Sequence, residues 1–172
     1  VHRCSCGLLS HACHCMEISP SASFRRDAVS DLRSVSSMIR AVLFDLDDTL
    51  MDHTAAMHAA VEDWLPGGHQ ERFAEIERKW FAAYERGEVT HQGQRVERCR
   101  EFLGRPEMTE QEALAEYSTY LAAYEKHWCA VDGAREALEY VLDLGLKVGI
   151  LTNGARDMQE GKLRAGGLDL PG

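Results

Sequence analysis

No apolar run in this 172-residue chain approaches the roughly 18 residues that a helix needs to cross a bilayer. Basic residues are scarce as well: 19 Lys and Arg stand against 28 Asp and Glu, a net charge of -9. That surplus of acid argues against nucleic acid as a main partner and for a soluble, self-repelling chain with no membrane partner. It leaves the sign of a substrate open, because a bound metal can invert the local field. Cysteine is nearly missing from most of the chain. Cys4, Cys6, Cys13 and Cys15 crowd the N-terminus, and only Cys99 and Cys129 lie beyond. Such a body reads as a reduced, cytoplasmic protein. The opening residues also lack a continuous apolar core behind a basic start, so no secretory leader is expected. No internal repeat is found.

What is present is ordinary in bulk: 45% hydrophobic and 27% charged residues, as in soluble globular domains. The length suits one domain, with room for an insertion. Residues 1–37 differ from the rest. Nine are Ser, four Cys and three His, and no period runs through them, so a disordered extension is expected. This stretch has four Arg and three acids, which leaves 15 bases against 25 acids in the body. Cys4-x-Cys6 and Cys13-His14-Cys15 have the chemistry for zinc or copper. Their spacing is not the usual C-x2-C, and a disordered tail is the preferred reading. Met38 directly precedes the first strand and is expected to be the natural start, with Val1 reflecting an upstream one.

From Met38 the pattern becomes regular. Ala41 to Phe44, rich in Val, Leu and Phe, predicts a strand buried on both faces. It ends in Asp45, Asp47 and Asp48. Three carboxylates at the mouth of a strand are costly unless something cationic sits among them. Asp45 and Asp47 are two apart and point the same way in extended backbone. With Thr49 beyond them, they suggest a divalent cation and a phosphoryl group. Helical spacing then dominates. Helices are predicted over 53–65, 69–86 and 90–103, and a fourth opens at the capping box of Thr109 and Glu112. They hold most of the aromatic residues, so 54–130 reads as an all-helical cap packed on itself. His58, His69, His91 and His127 read as solvated or helix-terminal. His53, at the hinge, is a candidate for closing over substrate, although a plain surface position is preferred. A helix over 134–144 follows, with Ala137, Leu138, Val141 and Leu142 inward. A second buried strand, Lys147 to Leu151, delivers Thr152, and a last helix covers 155–165.

Phe44-Asp45-Leu46-Asp47-Asp48-Thr49-Leu50 resembles the first motif of the haloacid dehalogenase (HAD) superfamily, DxDxT. Leu151-Thr152-Asn153-Gly154 resembles its second motif. Gln159, Lys162-Leu163 and Gly167-Leu168 are similar to the helix and turn that follow it in many members. The resemblance covers residue 39 to the C-terminus. It implies an α/β fold: a Rossmann-like parallel sheet core, from 38–53 and 131–172 and incomplete here, with the helical cap of 54–130 inserted.

The roles implied are these. Asp45 is the nucleophile that forms an aspartyl-phosphate, and Asp47 is the general acid, then base. Asp45 through its carboxylate and Asp47 through its backbone carbonyl hold Mg²⁺. Thr152 and the Asn153 backbone N–H bind phosphoryl oxygens. The implied partner is a small phosphorylated metabolite. An acid two residues past the nucleophile separates the phosphatase branch from the dehalogenating one, and phosphomutases keep both acids. Members also carry a third motif with a Lys and a fourth with acids, neither of which follows Leu151 here. Lys162 is set aside for the third, as too near Thr152 and mid-helix. The chain is therefore expected to be a C-terminally truncated phosphatase, inactive or impaired. A phosphomutase, or a non-catalytic helical interaction module, is the alternative.

Overall fold

The structure is a computed structural model that describes the backbone of residues 14–18 and the whole of residues 39–169. Along the chain run β1 (His14–Ile18), β2 (Ala41–Phe44), α1 (His53–Trp64), α2 (Gln70–Glu85), α3 (His91–Leu103), α4 (Glu110–Lys126), α5 (Ala134–Asp143), β3 (Lys147–Thr152) and α6 (Arg156–Ala165). The helices fall within about two residues of their predicted bounds. Two compact units result: one holds residues up to Asp52 and from Cys129 onward, the other His53–Trp128. No described helix is long and apolar enough to cross a membrane.

The unit of α1–α4 is built on its own apolar core. Val61, Phe73, Val96, Cys99, Phe102 and Tyr120 are among its buried side chains. Trp64 anchors the aromatic packing, with its ring against Phe73, Phe102, Tyr117 and Tyr120, while its indole N–H donates to Glu116 at 3.0 Å. The termini are capped as the residue types dictate. Thr90 Oγ1 accepts from Gly93 N, and Gly104 closes α3 with φ 65°, in the left-handed region where a Cβ is disfavoured. Thr109 and Glu112 form the expected capping box.

One polar cluster is built into that core. Arg98 donates to Glu77 at 2.8 Å and to the Tyr117 hydroxyl at 3.3 Å. His53 Nδ1 lies 2.6 Å from the Tyr124 hydroxyl, and its Nε2 lies 3.4 Å from Glu77. His53 is thus not the plain surface residue expected. It opens α1, and aromatic and acidic neighbours hold its ring. His69 is helix-terminal, as expected, at the N-cap of α2, with its ring against Phe102.

The other unit is organised on β3. β2 pairs with it in parallel, Val42 opposite Val148 and Phe44 opposite Ile150. β1 pairs with its other edge antiparallel, His14 opposite Thr152, so the order is β1-β3-β2. The strand within 14–18 corrects the expectation of a wholly disordered 1–37. An unpaired edge is a row of open donors and acceptors, and this segment supplies partners for β3. The candidate metal ligands Cys4, Cys6 and Cys13 lie outside the described residues. β2 is not buried on both faces: Leu43 is 55% exposed and Leu151 on β3 is 41% exposed. β2 lies at a sheet edge, and among the described residues one face of the pair has no cover. The opposite face buries Val148 and Ile150, and the unit's buried set continues with Leu138, Leu163 and Leu168. On α5 the inward residues are Ala134 and Leu138, while Ala137, expected inward, is exposed.

The ends of the helical insertion are held side by side. Asp52 N–H donates to Cys129 C=O at 3.0 Å, and Val131 N–H donates to Leu50 C=O at 2.9 Å. Met51 bridges Ala130 antiparallel. Residues 53–128 can therefore enter and leave the chain without breaking the loop that follows β2.

Candidate active site

The loop after β2 is fixed by its backbone. The Leu46 carbonyl accepts from the N–H groups of Thr49, Leu50 and Met51, and Asp48 N–H donates to Met51 C=O at 2.7 Å. Asp48 sits at φ 57°, a left-handed conformation that Asp tolerates better than most residues. Leu46, Leu50 and Met51 are buried anchors. With Leu46 buried between them, Asp45 is left exposed and Asp47 half-buried. Pairing of Phe44 with Ile150 brings the chain out of β2 at the level of Leu151 and Thr152. The acid-rich loop and Thr152 thus leave neighbouring parallel strands at the same end of the sheet.

Thr152 is buried, and Asn153, next along, is exposed. Thr152 Oγ1 accepts from Gly154 N–H at 3.3 Å and from Gln159 Nε2 at 2.6 Å. The same Gln159 Nε2 donates to Asp47 Oδ2 at 3.0 Å. Lys162 Nζ donates to Asp47 Oδ1 at 2.5 Å. Gln159 and Lys162 are one turn apart on the buried face of α6, beside Leu163. Side-chain contacts therefore join Asp47 and Thr152, from strands far apart in sequence, through one carboxamide.

The cation expected among the clustered carboxylates is supplied to half-buried Asp47 by Lys162. This contact does not make Lys162 the third-motif Lys; it shows a helix-borne cation meeting Asp47 from the α6 side. A helix beginning a few residues after β3 turns position 162 back toward the strand ends. The sequence does hold a signal: Gln159-x-x-Lys162 places two polar residues on the same face as Leu163, the face that must pack. Gly154 belongs to the same arrangement, since a Cβ there would lie 2.5 Å from Gln159 Nε2. Both Asp47 oxygens accept hydrogen bonds, Oδ2 from Gln159 and Oδ1 from Lys162. Cys99 is no rival nucleophile, because burial pushes its thiol up to about 11.

Comparison with known families identifies the family. The sequence profile of the haloacid dehalogenase-like hydrolases matches residues 39–170. The chain belongs to the haloacid dehalogenase-like hydrolase family. YfnB of Bacillus subtilis, assigned to the HAD hydrolases and solved bound to magnesium, is 25% identical with a TM-score of 0.63. The match covers 76% of this chain and 60% of that one. The L-2-haloacid dehalogenase of Xanthobacter autotrophicus, solved with chloropropionic acid covalently bound, is 25% identical with a TM-score of 0.56. Here 76% of this chain and 53% of the other are covered. The chain thus spans roughly half to three fifths of the length of these relatives. A comparison with curated proteins finds no match. The fold is that of the HAD Rossmann-like core, seen here as a short parallel strand pair, with a helical region inserted in the chain.

Proposed function

We propose that this HAD hydrolase acts on phosphoric monoesters through an aspartyl-phosphate. The observation that carries the reading is Asp47, an acid two residues past Asp45 and linked through Gln159 to Thr152. A carboxylate in that place serves proton transfer to an oxygen leaving group. Displacement of halide has no need of one.

In the proposed reaction an Asp45 carboxylate oxygen attacks phosphorus and the ester P–O bond breaks. Asp47, carrying a proton in this step, gives it to the departing alkoxide. Water then attacks the phosphoryl group on Asp45, its proton passes to Asp47, and inorganic phosphate leaves. Thr152 Oγ and the Asn153 N–H bind the phosphoryl oxygens. The exposed Asp45 carboxylate and the Asp47 carbonyl are hard oxygen donors of the kind Mg²⁺ takes, together with water and substrate oxygens. Among the described residues no group of three or more His, Cys, Asp or Glu could hold a metal ion by itself. When bound, Mg²⁺ offsets the repulsion between carboxylate and phosphate. The substrate is proposed to be a small phosphorylated metabolite.

The test is release of p-nitrophenol from p-nitrophenyl phosphate. Slow turnover that needs Mg²⁺ and disappears in Asp45→Asn is expected. Release of chloride from 2-chloropropionate, with no phosphate released, would move the chain to the dehalogenating branch instead.

A further inference from the structure

We propose that Gln159 and Lys162 are positioning residues that set the distance and polarity between the acid–base carboxylate and the phosphoryl-binding hydroxyl. The inference rests on the phosphatase reading for the identity of the ligand, and on the contacts of α6 for its geometry. Gln159 is 1% exposed, and its single Nε2 serves Asp47 Oδ2 at 3.0 Å and Thr152 Oγ1 at 2.6 Å. The orientation of the amide is fixed by Asp47, because the opposite setting would press Oε1 against a carboxylate oxygen. Gln159 Oε1 is buried and has no hydrogen-bond partner among the described residues, so the residue sits there at a cost in unmet hydrogen bonding. Gly154 adds a second cost. Any side chain at that position would collide with Gln159 Nε2.

The polarity follows from counting. A hydroxyl has one proton to give and two lone pairs to receive. Thr152 Oγ1 already receives from Gln159 Nε2 and Gly154 N–H. Its own O–H is therefore left to donate, and an incoming acceptor oxygen would take it. Gln159 thus makes Thr152 selective for an oxyanion over a ligand that offers an N–H or O–H. Lys162, buried and bonded to Asp47 Oδ1, holds the other carboxylate oxygen and stops the group rotating away from Thr152. Neither side chain needs to touch the substrate.

Double-mutant cycles on the full chain test this, with two readouts. The first is inorganic phosphate binding by titration calorimetry, which does not depend on turnover. The second is kcat and KM for p-nitrophenyl phosphate with Mg²⁺. Gln159→Leu is expected to weaken phosphate binding about 10-fold, a loss of the size that misplaced binding groups produce. Thr152→Val is expected to act similarly, and the double variant no worse than either. In turnover, Lys162→Met is expected to lower kcat on the order of 10- to 100-fold, with little effect once Asp47→Asn is present. Circular dichroism of each variant confirms folding, and Gln159→Met, which keeps the volume, stands in if the Leu variant unfolds. Wild-type protein that binds no phosphate, or effects that multiply in the double variants, would overturn the inference. An Asp45→Asn variant as active as wild type would overturn the reaction instead and leave the phosphate-binding cycle readable.

Discussion

The helical unit and the sheet unit divide the labour of this chain unequally. In α1–α4 the large apolar side chains are covered by one another: Phe73 and Phe102 are buried at the centre, and Trp64 packs on both. In the sheet unit Leu43 and Leu151 stay open on one face, while a buried Lys and Gln are spent on holding an acid and a hydroxyl. Burying polar groups is tolerated where they are hydrogen-bonded and costs stability where they are not. The comparison teaches that the helical unit buries mainly apolar side chains, whereas the sheet unit buries polar ones at the proposed site and leaves apolar ones open on a sheet face.

The largest effect expected is a way to break that contrast. Phe102→Ala should destabilise the helical unit by about 3–5 kcal/mol, the range for truncating a buried Phe. Leu43→Ala should change stability by less than about 1 kcal/mol, because little of its surface leaves water on folding. All three tryptophans, Trp64, Trp80 and Trp128, lie in the helical unit, so urea unfolding followed by their fluorescence reads it alone. Hydrogen exchange of β2 and β3 amides reads the other. Equal costs at the two positions would break the contrast.

A middle-sized effect sharpens it. Gly154→Ala drives a Cβ to 2.5 Å from Gln159 Nε2, and overpacking of this kind costs about 1–3 kcal/mol. Faster exchange in β3 and α6, with tryptophan fluorescence unmoved, is the expected signature. A change confined to α1–α4 would count against the arrangement described.

The smallest effect concerns pH. The hydrogen bond from Lys79 holds the Glu101 carboxyl below its ordinary value of 4.5, helped by Trp80. A carboxyl lowered in the folded state adds stability that is present above its unfolded pKa and lost as pH falls through the folded one. Lys79→Met should therefore flatten the fall in stability of the helical unit below about pH 4.5, measured by urea midpoints at pH 7 and pH 3. An unchanged slope would remove Glu101 from the account.

The same inequality explains what the sequence could tell. The helices were legible because each carries its own evidence: apolar residues at three- and four-residue spacing, Thr90 and Thr109 at the starts, Gly104 at an end. The site's acids and Thr152 were legible because motif and order mark them. The exposure of β2 was not, since Ala41 to Phe44 states that a strand is apolar and not which neighbours cover it. The pairing of residues 14–18 with β3 was hidden for a similar reason: a Ser- and Cys-rich tail shows no pattern until an open edge selects one segment. The contact of Lys162 with Asp47 was not legible because it spans 115 residues, and counting from Thr152 gives no hint of where a helix will turn it.

The most direct test of the central claim is chemical trapping at Asp45. The chain is incubated with Mg²⁺ and a phosphate monoester, quenched in acid, and digested for mass spectrometry. The account predicts a peptide containing Asp45 that has gained the mass of one phosphoryl group, and that loses the gain in Asp45→Asn. A gain located on any other residue, or one that persists in the variant, would contradict it.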